Sequence, residues 1–276
     1  SIKAGYRRTA QFTNQIFNTD TPTPTSQYQL STKYIKPQRS HNASIGVFKN
    51  FNDNLWETSL EVFARDIDQT FDYRDFAELN VNPFLETEII SGIGRAAGAE
   101  FSIKKNRGVW NGFLSYTLSR TELQIEGINK GDWYPSNFDK PHDLSLVLSH
   151  QFNKRVSITG AWVYGTGNSI TLPLYRYTSP VQSNYGGIYY NEIENIGDKN
   201  SFRMKAYHRM DINVEIQNRK NEDRNWQGTL NIGVYNAYNR NNPYFITTGR
   251  KDDGQRTFRQ ISIFPVIPSV SYKFKF

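Results

Sequence analysis

Apolar and polar side chains alternate with a strict period of two in ten separate stretches of this sequence. That period belongs to a β-strand with one face in an apolar medium and the other in a polar one; a helix would repeat every three to four residues. At the C-terminal end, 267–276, Val270, Tyr272, Phe274 and Phe276 share one face, and Ser269, Ser271, Lys273 and Lys275 the other. In 54–67, Trp56, Thr58, Leu60, Val62 and Ala64 oppose Glu57, Ser59, Glu61 and Arg65, with Phe63 among the polar set. In 95–105, Ala97, Ala99, Phe101 and Ile103 oppose Gly98, Glu100, Ser102 and Lys104. In 109–120, Trp110, Leu114, Tyr116 and Leu118 oppose Asn111, Ser115, Thr117 and Ser119. Stretches 142–152 (Leu144, Leu146, Leu148 against Asp143, Ser145, Ser149) and 156–165 (Val156, Ile158, Trp162, Tyr164 against Ser157, Thr159) repeat it. So do 208–217 (Met210, Ile212, Val214, Ile216 against Arg209, Asp211, Asn213, Glu215) and 226–235 (Trp226, Leu230, Ile232, Val234 against Gln227, Thr229, Asn231). The first strand, 2–12, and the second, 41–49, fit less cleanly, and Arg8 falls on the apolar side of the first.

One such strand is compatible with a half-buried sheet in a soluble protein. Ten in series, joined as these are, argue for a sheet that crosses a membrane. Short polar turns lie at 51–54, 105–108, 152–155 and 218–225, and long segments lie at 13–38, 68–94, 121–141, 166–205 and 238–264. Short and long alternate without exception, as in a barrel that runs up and down a bilayer. Trp56, Trp110 and Trp226 each follow a short turn on the apolar face, the position of an aromatic girdle at the lipid headgroups.

Composition agrees. Hydrophobic residues make up 37% and mean hydropathy is -0.67, yet there are 17 Tyr and 18 Phe. Low hydropathy with many aromatics suits a barrel that is polar inside and apolar outside. No run approaches the roughly 20 apolar residues of a membrane helix, which says nothing against spanning strands. There is no cysteine, which excludes a disulfide framework and thiolate metal sites. The net charge of +7 is spread among acids and forms no stripe for nucleic acid. Residues 1–6 already read as a strand, so residue 1 is expected not to be a natural start.

Candidate chemistry is thin. His41, His142, His150 and His208 all fall on the apolar parity. His142 has Asp143 beside it and His208 has Asp211 nearby, but neighbours in a strand point to opposite faces, so His142 and Asp143 cannot form a dyad directly. The acid pairs 252–253, 192/194 and 66/68 lack the spacing of a calcium loop. The glycine-rich run Gly92-Ile93-Gly94-Arg95-Ala96-Ala97-Gly98-Ala99 opens a strand rather than a helix and lacks the context of a dinucleotide-binding turn. No catalytic residue, metal or cofactor is expected.

Short stretches spread over nearly the whole chain carry a resemblance. They are Lys33-Tyr34-Ile35-Lys36-Pro37-Gln38, Gly94-Arg95-Ala96-Ala97-Gly98-Ala99-Glu100 and Leu114-Ser115-Tyr116-Thr117-Leu118-Ser119-Arg120. Phe138-Asp139-Lys140-Pro141-His142-Asp143-Leu144, Tyr164-Gly165-Thr166-Gly167-Asn168 and Tyr207-His208-Arg209-Met210-Asp211 follow. Then come Tyr235-Asn236-Ala237-Tyr238-Asn239-Arg240-Asn241-Asn242-Pro243 and the alternating C-terminal stretch. In that order they resemble the C-terminal half of a TonB-dependent outer-membrane transporter of the kind common in Bacteroidota. The resemblance implies an all-β fold, a transmembrane antiparallel up-and-down β-barrel of 22 strands with a plugged lumen. The ten long strands here would be its last ten. Residues 1–276 would then be the C-terminal portion of the barrel, with the earlier strands, the plug domain and the TonB-contact segment absent from this chain.

The resemblance further implies an integral protein of a Gram-negative outer membrane, with extracellular long loops, that imports a scarce solute and is not an enzyme. Its partners would be outer-membrane lipid, its own plug domain, TonB, the barrel-assembly machinery and, in some relatives, a surface lipoprotein lid. Glu57, Glu61, Arg65, Glu100, Asp143, Arg209, Asp211 and Glu215 would line the lumen and face the plug. Tyr175, Arg176, Tyr177, Tyr185, Tyr189, Tyr190, Tyr244, Arg250 and Arg256 would offer stacking and hydrogen bonds to a ligand from the loops. Tyr272, Phe274 and Phe276 resemble the C-terminal signal read during assembly. Two other readings stay open on the sequence alone: a self-contained ten-stranded outer-membrane protease or lipase, and a barrel that is a structural component of an envelope complex.

Overall fold

The computed structural model describes every residue except 17–26, 75–76, 78–81, 183–185, 219–226, 254 and 276. One antiparallel sheet dominates. Its strands are β1 (Ile2–Gln11), β2 (Gln38–Phe51), β3 (Trp56–Tyr73), β4 (Ile89–Lys105) and β5 (Trp110–Gln124). They continue with β6 (His142–Gln151), β7 (Val156–Gly165), β8 (Tyr207–Gln217), β9 (Gln227–Tyr235) and β10 (Ile267–Lys275). Each pairs with the next in chain order, and Tyr134–Pro135 adds a short rung to β5. β1 and β10 do not pair with one another, so the sheet is open along both edges.

The register carries the alternation from strand to strand. One row runs Val47, Leu60, Phe101, Tyr116, Leu144, Tyr164, His208 across β2 to β8. The row beside it runs Gly46, Glu61, Glu100, Thr117, Asp143, Gly165, Tyr207. Directly opposed residues share a face, so these rows are sections of one apolar and one polar surface. Arg8 pairs with His41 near the loop end of β1, above the aliphatic part of its face, which accounts for its parity.

The sheet has no core of its own. Leu60 is 52% exposed and Val270 72%. Among the described residues the buried hydrophobics are Ile35, Leu85, Ile125, Ile128, Tyr134, Ile170 and Met204, and every one lies between the ten strands rather than in them. An apolar surface this extended must be covered by something other than this chain.

The turns follow local chemistry. Asn52, Asp53 and Asn54 adopt φ of 51°, 51° and 61°, a left-handed region that Asn and Asp tolerate better than other side-chain-bearing residues. At the opposite end the strands run further than the alternation suggests. β3 extends to Tyr73 across a bulge at Gln69 (φ 58°), and β4 begins at Ile89. There both faces carry polar residues, so the backbone ladder continues while the period-two signal fades. Three long connections also contain hairpins of their own: Thr13–Ile16 with Gln27–Leu30, Pro173–Gln182 with Ile188–Ile196, and Pro243–Arg250 with Arg256–Ser262.

Candidate functional site

All of Glu57, Glu61, Arg65, Glu100, Asp143, Arg209, Asp211 and Glu215 lie on the polar face. They do not form a single cluster. Glu61, Arg65 and Glu100 line a hollow of about 550 Å³ together with Arg7, Asn42 and Thr121. Glu61 and Glu100 stand directly opposite one another on β3 and β4. Like charges in that relation repel. No ion pair joins either of them, or Asp143, to another described residue. Arg65 is held by the Asn42 side chain. Arg7 completes the hollow, and the irregular alternation of β1 hides it in the sequence.

Arg209 and Asp211 form the second group. Arg209 donates to Asp211 (3.0 Å), to the Tyr207 hydroxyl (3.0 Å) and to the Tyr235 hydroxyl (2.7 Å). Its guanidinium also lies 4.1 Å from the centre of the Tyr235 ring. Asp211 accepts the Asn236 backbone N–H (2.9 Å). Tyr207, Tyr235 and Asn236 are members of the group that sequence reasoning misses: each belongs to a recognised stretch, but their convergence spans two strands. Glu57 sits apart at the turn end, accepting from Asn106 (2.6 Å), and Glu215 meets Gln217.

At the loop end the connections are tied to one another. Lys199 donates to Asp72 (2.6 Å) and to the Tyr73 carbonyl (2.8 Å). The Tyr134 hydroxyl donates to the other oxygen of Asp72 (2.9 Å). Arg203 donates to Asp139 (2.5 Å), which also accepts the Thr121 N–H (2.7 Å). Ile125, Ile128 and Tyr134 pack together among these bonds. Asn129 and Lys199 bond reciprocally, side chain to backbone, at 2.7 and 3.0 Å. Glycine is required at Gly167, where a Cβ would lie 2.1 Å from the Met204 carbonyl oxygen.

A second fastening closes β8 and β9. Buried Asn236, at φ 52°, donates to the carbonyls of Arg240 and Phe264, and its own oxygen accepts the Arg240 N–H. Asn242 accepts the His208 N–H (3.0 Å) and donates to the His208 carbonyl (2.9 Å), imitating one more rung of sheet. The Asn-rich stretch 235–243 thus ends a strand and fixes the connection that follows.

Three of the four histidines take tyrosine partners rather than acids. Nδ1 of His41, His142 and His208 lies 2.6, 2.8 and 2.7 Å from the hydroxyls of Tyr6, Tyr116 and Tyr238. His150 packs on Trp110 with ring centres 4.2 Å apart. Trp56 and Trp110 are on the apolar face at the turn end, and Lys105 lies over the Trp56 ring. Trp226 lies outside the described residues.

Of the expected ligand residues, Tyr175, Tyr177 and Tyr189 share one parity of the Pro173–Gln182/Ile188–Ile196 hairpin, and Tyr190 takes the other opposite Pro180. All four rings are exposed. Tyr244 opens a separate hairpin, where it packs against Phe245. Tyr185 lies outside the described residues, and for Arg176, Arg250 and Arg256 only the backbone positions are described. The structure therefore brings the expected ligand residues onto two hairpins, not into one pocket. Tyr272 and Phe274 lie on the apolar face of β10, exposed, while Phe276 is outside the described residues.

A family model described as TonB dependent receptor-like, beta-barrel, matches residues 1–237. The chain belongs to the TonB-dependent receptor-like β-barrel family. Solved structures with this fold include the pyoverdine receptor FpvA of Pseudomonas aeruginosa PAO1 bound to pyoverdine (14% identity, TM-score 0.58, 100% of this chain and 34% of that one). They also include the ferric-catecholate import receptor Fiu of E. coli K12 (15%, 0.56, 98% and 32%) and the copper transporter OprC (13%, 0.54, 99% and 36%). The chain thus spans about a third of the length of these proteins. No curated protein matches it in sequence. The TonB-dependent receptor family is one of receptors and transporters rather than enzymes. In a membrane barrel with a polar lumen the outer wall is apolar and the lumen wall polar.

Proposed function

We propose that this chain is the C-terminal part of an outer-membrane active-transport receptor of the Bacteroidota type. Its ten strands would be the last ten of a 22-stranded barrel. The observation that carries the reading is the pair of continuous faces, one apolar and one charged, across a sheet that remains open at β1 and β10. Further strands would close it, since hydrocarbon does not tolerate unpaired backbone. The open edges also speak against the self-contained ten-stranded enzyme, which needs β1 paired with β10.

In this reading the short turns are periplasmic and the long connections extracellular. The tied loop end presents the tyrosine-bearing hairpins to a scarce solute. The unpaired Glu61, Glu100 and Asp143 and the Arg209 group would meet a plug domain and line the path that opens when TonB pulls on it. Tyr272, Phe274 and Phe276 would be read by the barrel-assembly machinery, and a surface lipoprotein would cover the loops. The three solved structures are of a pyoverdine receptor, a ferric-catecholate import receptor and a copper transporter, which supports uptake of a scarce nutrient as the class of activity.

The test is the mass and N-terminal sequence of the parent polypeptide in native outer membranes. The expected result is a chain far larger than 32.0 kDa, with a plug-like domain and about twelve more strands upstream. A mature chain near 32.0 kDa would remove the plug and the TonB contact, and the reading with them.

A further inference from the structure

The apolar face is not evenly covered. Across β5 to β8 it carries a groove of about 230 Å³ lined by Trp110, Leu146, Leu148, Ile158, Trp162 and Met210. Its floor is Gly160, in a register row that reads Gly112, Leu148, Gly160, Ile212. Gly160 is not demanded by the backbone. Its φ is not positive, and a Cβ there would meet only the Met210 Cε, at 3.9 Å. What glycine leaves at this position is a depression in a wall of large side chains. From His150 to Leu146 the groove follows β6 for about 13 Å, a distance within one leaflet.

The groove ends among aromatic and basic groups. Trp110 packs on His150 with the rings tilted by 34°, and Phe152 meets the same imidazole edge-on at 4.5 Å. His150 Nδ1 is covered and has no hydrogen-bond partner. The turn joining β6 to β7, the two strands under the groove, carries Lys154 and Arg155, and 150–160 holds no acid. Arg155 has the parity of the polar face and is fixed by its Nε bond to the Gln217 carbonyl (3.0 Å), while Lys154 is exposed. Arg107 adds a further cation on the neighbouring turn.

We propose that this groove is a binding site for an anionic glycerophospholipid of the leaflet on the short-turn side. One acyl chain lies over Gly160 between Trp110, Trp162 and Met210, and the phosphate meets Lys154. An apolar slot that runs toward a turn bearing an exposed lysine and no acid matches an amphiphile with an anionic head. A free phosphate would leave the slot empty, and an uncharged acyl chain alone would make no use of Lys154. The inference goes beyond the transport reading and requires only that the apolar face meets lipid.

The experiment uses the intact parent protein from native outer membranes, reconstituted in vesicles of phosphatidylglycerol or of phosphatidylcholine with the same acyl chains. Retained lipid is counted by native mass spectrometry. One phosphatidylglycerol should be retained several-fold over phosphatidylcholine. Gly160→Leu should abolish retention of both, Lys154→Glu should abolish the preference, and Leu60→Ala, on the same face outside the groove, should change neither. Equal retention of the two lipids by the unaltered protein would overturn the proposal. So would undiminished retention in Gly160→Leu, an unchanged preference in Lys154→Glu, or an equal loss in Leu60→Ala. Lys154 lies in an exposed turn, so its variant reads out even where Gly160→Leu fails to fold. Solute uptake plays no part in the readout, so failure here leaves the transport reading untouched.

Discussion

The ten-stranded sheet and the loop-end knot are built on opposite principles. The sheet exposes its aliphatic side chains and buries none of its large hydrophobic ones completely. In the proposed reading its stability comes from backbone ladders and from lipid against the apolar face. The knot is organised like a small soluble core. Ile125, Ile128 and Tyr134 are buried, and two ion pairs span long sequence separations, one from a connection to the end of β3 and one between two connections. Lys199 and Asp72 are 15% and 13% exposed, and Asp139 is 3% exposed beneath Arg203. The difference teaches that one chain is adapted to two solvents, with the change between them at the loop ends of the strands.

The largest effect should come from separating the two regions energetically. Lys199→Ala would leave Asp72 partly buried without its cation, a loss of about 3–5 kcal/mol where burial is complete. The damage should stay local: hydrogen exchange should rise in 125–141 and 166–206 and remain unchanged in β8 and β9. Exchange rising through the whole sheet would join what the comparison separates. Ile125→Ala should act in the same place, at about 2–5 kcal/mol for a fully buried aliphatic, and should sensitise the loops to protease without altering the barrel.

On the sheet the effect should follow parity. Leu146→Lys or Ile212→Lys should cost about 2–4 kcal/mol near the bilayer midplane, read by urea unfolding in vesicles. Ser145→Lys and Asn213→Lys, one residue away, should be close to neutral. If the polar positions proved the sensitive ones, the face assignment would be inverted.

Much of this architecture is legible in the sequence because lipid and water on opposite faces impose a period of two. That signal locates all ten strands and sets the parity of Glu61, Glu100 and Arg209. It fails where both faces are wet. The upper parts of β3 and β4 and the hairpins at 173–196 and 243–262 carry no alternation, and read as loops until their ladders are seen. The knot is invisible for a different reason. Asp139 and Arg203 are 64 residues apart, and Asp72 and Lys199 are 127 apart, so no local pattern can join them. The recognised stretch 235–243 shows a third case. Its asparagines are conspicuous in the sequence, but only the structure shows Asn236 and Asn242 completing the hydrogen bonds at the ends of β8 and β9.

The central claim is that one face meets lipid and the other meets the aqueous lumen. The chain has no cysteine, so single cysteines placed in it report cleanly on their own positions. Spin labels at Leu146, Ile212 and Leu230, and at Ser145, Asn213 and Thr229, would be exposed in turn to oxygen and to a water-soluble relaxer, in the intact protein in lipid vesicles. The account predicts oxygen access at the first three positions and access to the water-soluble agent at the second three. Reversed parity, or equal access at neighbouring positions, would contradict it.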